Sequence, residues 1–179
     1  MSASSIQQIK KPKGINVYVK PSPSEKTAIL AKINNQGMGE TYICYPNIQP
    51  IYLTKSILDT KTKFIVYGWN SDLNEPSLDD KFITSILTIQ DSNPLEIPTD
   101  ISLYLDIICT SKTGHGYSLF SHFVGYIKNI YPNKNITLTL QTASNAATNL
   151  VKTYENWGFK QVFAGCTNQC YMTYNINTL

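Results

Sequence analysis

The chain has 179 residues, of which 42% are hydrophobic and 15% charged, enough apolar side chains to build the core of one domain of ordinary size. Its formal net charge of +3 falls short of the basic footprint of a dedicated nucleic-acid binder, and no apolar run approaches the length of a membrane span. Neither nucleic acid nor a membrane is therefore expected as a partner, and the mild positive charge slightly favours anionic ligands.

Residues 1–14 are polar and end in the basic cluster Lys10, Lys11 and Lys13. The expectation is a flexible tail ahead of a single domain over residues 15–179. Without the apolar centre of a signal peptide, an intracellular protein is expected, and the abundance of Asn, Ile, Lys and Tyr suits an AT-rich viral, protist or bacterial genome. Residues 15–21 (INVYVKP) alternate as a strand. Ser22-Pro23-Ser24-Glu25 reads as a helix start, with Pro23 in the first turn and Glu25 at the positive end of the helix dipole. That helix runs to about Asn34, before the turn Asn35-Gln36-Gly37. TYICYP (41–46) and PIYLTK (50–55) read as a hairpin around Asn47-Ile48-Gln49. KFIVYGWN (63–70) and KFITSILTIQ (81–90) are β-branched and aromatic, and predict two strands joined by the polar loop 71–80.

The second half changes character. ISLYLDIICT (101–110) is nearly unbroken in apolarity, as in a strand buried on both faces. Strict alternation places Leu103, Leu105 and Ile107 on one side of it and Tyr104, Asp106 and Ile108 on the other. The glycine loop Lys112-Thr113-Gly114-His115-Gly116 follows. From Tyr117 to Tyr131 apolar residues recur at helical spacing, and Pro132-Asn133 ends the run. ITLTLQTA (136–143) alternates as a strand. Asn145 to Trp157 carries Ala146, Ala147, Leu150, Val151 and Tyr154 on one helical face, and Gly158 suits a C-terminal stop. Val162-Phe163-Ala164 and Cys170 to Ile176 predict a closing hairpin. The fold class is α/β in the broad, α+β sense: a mixed, mostly antiparallel central sheet with a strand–glycine loop–helix–strand–helix unit.

Four cysteines stand at irregular spacing: Cys44, Cys109, Cys166 and Cys170. Cys166 and Cys170 suggest half a metal site, yet zinc takes four ligands and His115 and His122 lie far upstream. No metal is expected, and the cysteines of an intracellular chain are expected to be reduced and structural.

The chemistry concentrates after residue 100. A loop between a buried strand and a helix aims backbone N–H groups at one point, and the helix dipole adds positive potential there, so a phosphate can be held with few side chains. Gly114 and Gly116 would allow close approach, and Lys112 supplies a charge. The phosphate-loop pattern ending in Gly-Lys-Ser/Thr is absent because Lys112 precedes the glycines. The dinucleotide fingerprint also fails, since Phe120 rather than a glycine stands at or beside the third-glycine slot after Gly114 and Gly116.

Together with Asn145 and the segment Tyr154-Glu-Asn-Trp-Gly158-Phe159, this loop resembles the GNAT N-acetyltransferase family. The glycine loop resembles the family's (Gln/Arg)-x-x-Gly-x-(Gly/Ala) pyrophosphate loop, and the downstream segment its Asn, helix and Tyr-x-x-x-Gly-Phe ending. The resemblance covers residues 101–176. Ser111 stands where the family has Gln or Arg, and Asn145 lies about two residues further from Tyr154 than the usual spacing. The resemblance implies acetyl-CoA, or another acyl-CoA, as co-substrate. Its pantetheine arm would lie against Ile107, Ile108 and Cys109, and its pyrophosphate against Lys112, Thr113, Gly114, His115 and Gly116, with Asn145 contributing. It implies direct transfer of the acyl group to an amine in a ternary complex, with Tyr154 protonating the leaving thiolate and Asp106 as the one carboxylate placed to take the amine's proton. The alternative is a protein of the same fold that binds acyl-CoA, or serves a structural role, without catalysis. Residues 22–55 and 71–80, expected to shape the acceptor pocket, carry no recognisable motif. Neither the acceptor nor the oligomeric state is legible.

Overall fold

The computed structural model describes residues 14–45, 48–70, 78, 82–92, 100–110, 115–142, 150–166 and 169–177. The tail expected over residues 1–13 lies outside them. Strand β1 (Gly14–Val19) leads into α1 (Pro23–Gln36), whose start follows the sequence: the Glu25 N–H donates to Ser22 Oγ at 3.2 Å and the Ser22 N–H to the Glu25 carboxylate at 2.7 Å. This reciprocal cap satisfies two donors that the first helical turn leaves over, a contribution of about 1 kcal/mol.

The hairpin expected over residues 41–55 is not formed. A short 3-10 turn (Gly39–Thr41) and then helix α2 (Pro50–Leu58) occupy that stretch. Pro50 takes the first helical turn, where its missing N–H is harmless. Leu53, Ser56 and Ile57, at helical spacing, are the buried residues of α2. Ile51 and Tyr52, the β-branched and aromatic pair that suggested a strand, are 55% and 57% exposed.

Strands β2 (Thr62–Asn70), β3 (Phe82–Asp91) and β4 (Asp100–Thr110) follow, then α3 (His115–Ile130), β5 (Asn135–Gln141), α4 (Leu150–Asn156), β6 (Lys160–Gln161) and β7 (Tyr171–Asn177). They form one seven-stranded sheet in the order β1-β2-β3-β4-β5-β7-β6. Every pairing is antiparallel except β4 with β5, which α3 connects as a crossover. The expected mixed sheet with a strand–helix–strand unit is thus present. The last hairpin starts earlier than expected, at Lys160, and Phe163 is 69% exposed.

Each face of the sheet has its own core. Phe64, Val66, Leu103 and Leu105 pack with Phe120, Phe123 and Ile127 of α3 and with Tyr154 of α4. Ile65, Tyr67, Ile86 and Ile107 pack with Ile29 and Ile33 of α1 and Leu53 and Ile57 of α2. On β2 the period of two sends successive side chains to opposite helix layers, so the strand is buried on both faces.

Strand β4 departs from the alternation expected for it. Thr88 stands opposite Ile107 and Ile89 opposite Leu105, so Asp106 is an extra residue, a β-bulge. The bulge moves Ile107 and Cys109 to the α1–α2 side, while Ile108 joins Leu103 and Leu105 on the α3 side. The strand is not buried throughout: Tyr104, Asp106 and Ile108 are only half-buried.

The cysteines correct a second expectation. All four are oxidised, as Cys44–Cys109 and Cys166–Cys170. The reduced state was inferred from compartment, whereas the pairing follows from the fold. The α1–α2 connection brings Cys44 into the second core, and the bulge turns Cys109 towards it, with 5.0 Å between their Cα atoms.

Candidate active site

Strand β4 pairs with β5 only from Asp100 to Tyr104. Beyond that point β4 continues to Thr110 against β3, and β5 continues to Gln141 against β7. The two parallel strands therefore part, and among the described residues no strand lies along the β5 side of Leu105–Thr110. At roughly 3.3 Å per residue this open edge is about 20 Å long, and it offers backbone donors and acceptors that no ladder uses. Ile107, Ile108 and Cys109 lie along it. The bulge at Asp106 stands at the apex of the wedge, where a local rise in twist turns a strand away from its neighbour.

Helix α3 begins where β4 ends. A Cβ at Gly116 would sit 3.3 Å from Ile108 Cδ1 and 3.4 Å from Trp157 Cη2. Glycine lets the first turn of α3 meet both β4 and the end of α4 at once, a packing reason added to the ligand approach expected from sequence. His115 is fully buried and its Nδ1 lies 3.2 Å from Thr84 Oγ1. Its imidazole is held in the interior, so a ligand at the helix start would meet backbone there. Ser111, Lys112, Thr113, Gly114 and Asn145 lie outside the described residues.

Tyr154 sits on α4, edge-on to Trp157 with ring centroids 5.1 Å apart. Burial pushes its phenol up to about 12, and among the described residues nothing hydrogen-bonds its hydroxyl. The Tyr-x-x-x-Gly-Phe ending has a local cause. The Phe159 N–H donates to Tyr154 O at 3.0 Å and the Gly158 N–H to Glu155 O at 2.9 Å, the Schellman stop, with Gly158 at a φ of 103°. Tyr154 and Phe159 supply the hydrophobic contact that accompanies this motif, their centroids 5.8 Å apart. Trp157, which sequence reasoning passed over, joins the parts: it stacks on Phe120, tilts against Tyr117 and covers Gly116. Its i+3 spacing from Tyr154 was the available signal.

Asp106 is engaged. Ser56 Oγ donates to its Oδ2 at 2.5 Å, and Gln90 Nε2 does so at 3.3 Å. Since the Ser56 proton goes to Asp106, Ser56 accepts from Thr88 at 2.6 Å, and Thr88 accepts from the Ile107 N–H at 3.2 Å. One chain of donors thus runs from the bulge amide through Thr88 and Ser56 back to the bulge carboxylate, a cooperative arrangement that pins the strand where it bends. Among the described residues no three His, Cys, Asp or Glu side chains converge as a metal site would require.

No protein-family model matches the chain, and no curated protein sequence does either. The similarity lies in three dimensions. A Desulfovibrio desulfuricans protein assigned to the GNAT acetyltransferases superposes on 93% of this chain and 100% of its own length, at a TM-score of 0.53 and 10% identity. A variant of the AtaT toxin, bound to acetyl-CoA and to the C-terminus of the antitoxin AtaR, matches 90% of this chain and 92% of its own with a TM-score of 0.55 and 13% identity. A Lactobacillus plantarum protein assigned as an N-acetyltransferase matches 93% and 99%, at 0.50 and 12%. Likeness at such identities is likeness of fold: the chain has the GNAT fold that its glycine loop and Tyr-x-x-x-Gly-Phe segment resemble.

Proposed function

We propose that this GNAT-fold chain transfers an acyl group, acetyl in the simplest case, from acyl-CoA to an amine. Fold alone does not establish a reaction, so the reading rests on one feature of the site. The wedge between β4 and β5 exposes a strand edge beside the start of a helix, a length of unpaired backbone fit for an amide-bearing arm and an anion-friendly end for a phosphate. The similar AtaT toxin carries acetyl-CoA.

In this reading the backbone of Ile107, Ile108 and Cys109 completes its hydrogen bonds with the pantetheine arm. Lys112, Thr113, Gly114, His115 and Gly116 receive the pyrophosphate, with Asn145 near the arm. Held together, amine and thioester react with the entropy cost of encounter already met, and a β4 N–H polarises the carbonyl. The amine nitrogen bonds to the acyl carbon and the carbon–sulfur bond breaks. The thiolate takes the Tyr154 hydroxyl proton, and the phenol recovers a proton from solvent. A phenol whose acidity burial has reduced stays protonated at every physiological pH, as an acid must. Asp106, bonded by Ser56 and Gln90, holds the bulge that opens the wedge, and the proton of the amine leaves through water.

Acetyl-CoA at about a hundred times its Kd stabilises the fold by roughly 2.7 kcal/mol, read as a rise in melting temperature. Release of CoA with a panel of amines then measures transfer. No melting shift overturns the proposal. The engagement of Asp106 favours a second reading, an acyl-CoA binder without turnover, which predicts the melting shift without CoA release from any amine.

A further inference from the structure

Beside the start of α1, the start of β2 and the end of β3 lies an open basin of about 900 Å³, within the range of small-molecule sites. Among the described residues, its wall holds Lys20, Lys26, Lys61 and Lys63 with Asp91 as the lining carboxylate, and Asp59 stands behind Gln90. Such a balance in a concave wall concentrates positive potential. Lys26 is the informative member. It is 8% exposed, and its ammonium donates to the Asp59 carbonyl at 2.8 Å with no carboxylate in ion-pair range among the described residues. An ammonium held by one carbonyl has two donors left for a bound anion. Lys63 is anchored too, over the rings of Phe64 and Tyr131 and 4.0 Å from Asp91.

The basin reaches the wedge. Tyr104 belongs to its wall and is the last residue of β4 paired with β5. Gln90, also in the wall, donates at 3.3 Å both to Asp59 and to Asp106 at the wedge apex. The Tyr104 phenol is raised by burial and then by the charge of Asp106, which places Tyr104 within electrostatic reach of the wedge apex.

We propose that this basin is the acceptor pocket of the acyl transfer, and that the acceptor is a small amine that also bears a carboxylate or a phosphate. The inference rests on the acyltransferase reading and adds the substrate class to it. The anionic group sits among Lys26, Lys20 and Lys61, and the amine points past Tyr104 to the apex.

Ethanolamine, β-alanine and phosphoethanolamine form a matched series that differs in the anionic group alone, and β-alanine and phosphoethanolamine separate carboxylate from phosphate. With saturating acetyl-CoA, at least one anionic member is expected to exceed ethanolamine in kcat/KM by about tenfold or more. The double variant Lys20→Gln/Lys61→Gln, at two exposed positions, is expected to keep its acetyl-CoA melting shift and to lose most of that preference, as is wild type at high salt. If no amine turns over, calorimetric titration of phosphoethanolamine and β-alanine into the acetyl-CoA complex decides: binding that weakens several-fold in the double variant supports the pocket, and no binding overturns it. A preference near one, or one unchanged in the variant, overturns the proposal while the acyltransferase reading stands. Absence of any acetyl-CoA shift overturns both.

Discussion

Reducing the Cys44–Cys109 bond tests the link between the α1–α2 connection and the open edge of β4. The bond closes a loop with a sequence separation of 65 residues. The chain-entropy relation for a loop of that length gives about 14 cal/mol/K, or about 4 kcal/mol at 25 °C. The separation of 4 between Cys166 and Cys170 gives about 2 kcal/mol by the same relation. A domain of this size is stable by roughly 5–15 kcal/mol, so losing both bonds removes a large part of the total. Cys44 and Cys109 are buried, and as thiols they would still pack as small apolar groups, so the folded form should survive reduction with a lower margin. The expected result is a fall in urea midpoint on reduction and a melting temperature lower by about 10–15 °C. The double variant Cys44→Ala/Cys109→Ala should reproduce about two thirds of the loss. Thiol titration of the unfolded, unreduced chain should find none of its four cysteines free. Four titratable thiols, or an unfolding curve indifferent to reductant, would refute the pairing and the reasoning built on it.

Gly116→Val should cost about 1–3 kcal/mol by overpacking against Ile108 and Trp157 and should abolish the acetyl-CoA melting shift, whereas Gly116→Ala should come out near neutral because helix propensity offsets the tight methyl; a Val variant as stable and as responsive as wild type would remove Gly116 from the site. Ser56→Ala leaves the Thr88 hydroxyl without its acceptor and Asp106 without its shortest bond, for an expected loss of about 1–3 kcal/mol in urea unfolding, and unchanged stability would dissolve the network. Tyr154→Phe should preserve KM for acetyl-CoA and lower kcat about a hundredfold, and turnover at the wild-type rate would show that the phenol only packs. Burial raises Tyr67 and Tyr154 to about 12, so the folded chain keeps protons that the unfolded chain releases above 10. This contribution is complete below pH 10 and fades as pH climbs from 10 towards 12, and Tyr154→Phe should flatten that decline in urea midpoint.

What the sequence determined by itself is what short-range chemistry controls. Ser22 and Glu25 cap α1 across three residues, and Tyr154, Gly158 and Phe159 stop α4 within one turn, so both signals are complete in a short string of letters. The alternation of β5 and the helical spacing of α3 are equally local, and with the glycine loop ahead of α3 they made the central strand–helix–strand unit and its family resemblance legible. Helix α2 was not, because its β-branched and aromatic residues favour a strand until Leu53 and Ile57 are buried against the sheet. The bulge at Asp106 is invisible in β4 alone, since an extra residue exists only by comparison with β3 opposite it. The partners that hold it, Gln90 and Ser56, stand 16 and 50 residues away, and Cys109 finds Cys44 at 65. Lysines from a bend, a helix, a turn and a strand become one basin by the same route. Hydrogen bonds, disulfides and electrostatic fields act over a few ångströms of space, and which distant residues come that close is decided only when both cores have formed.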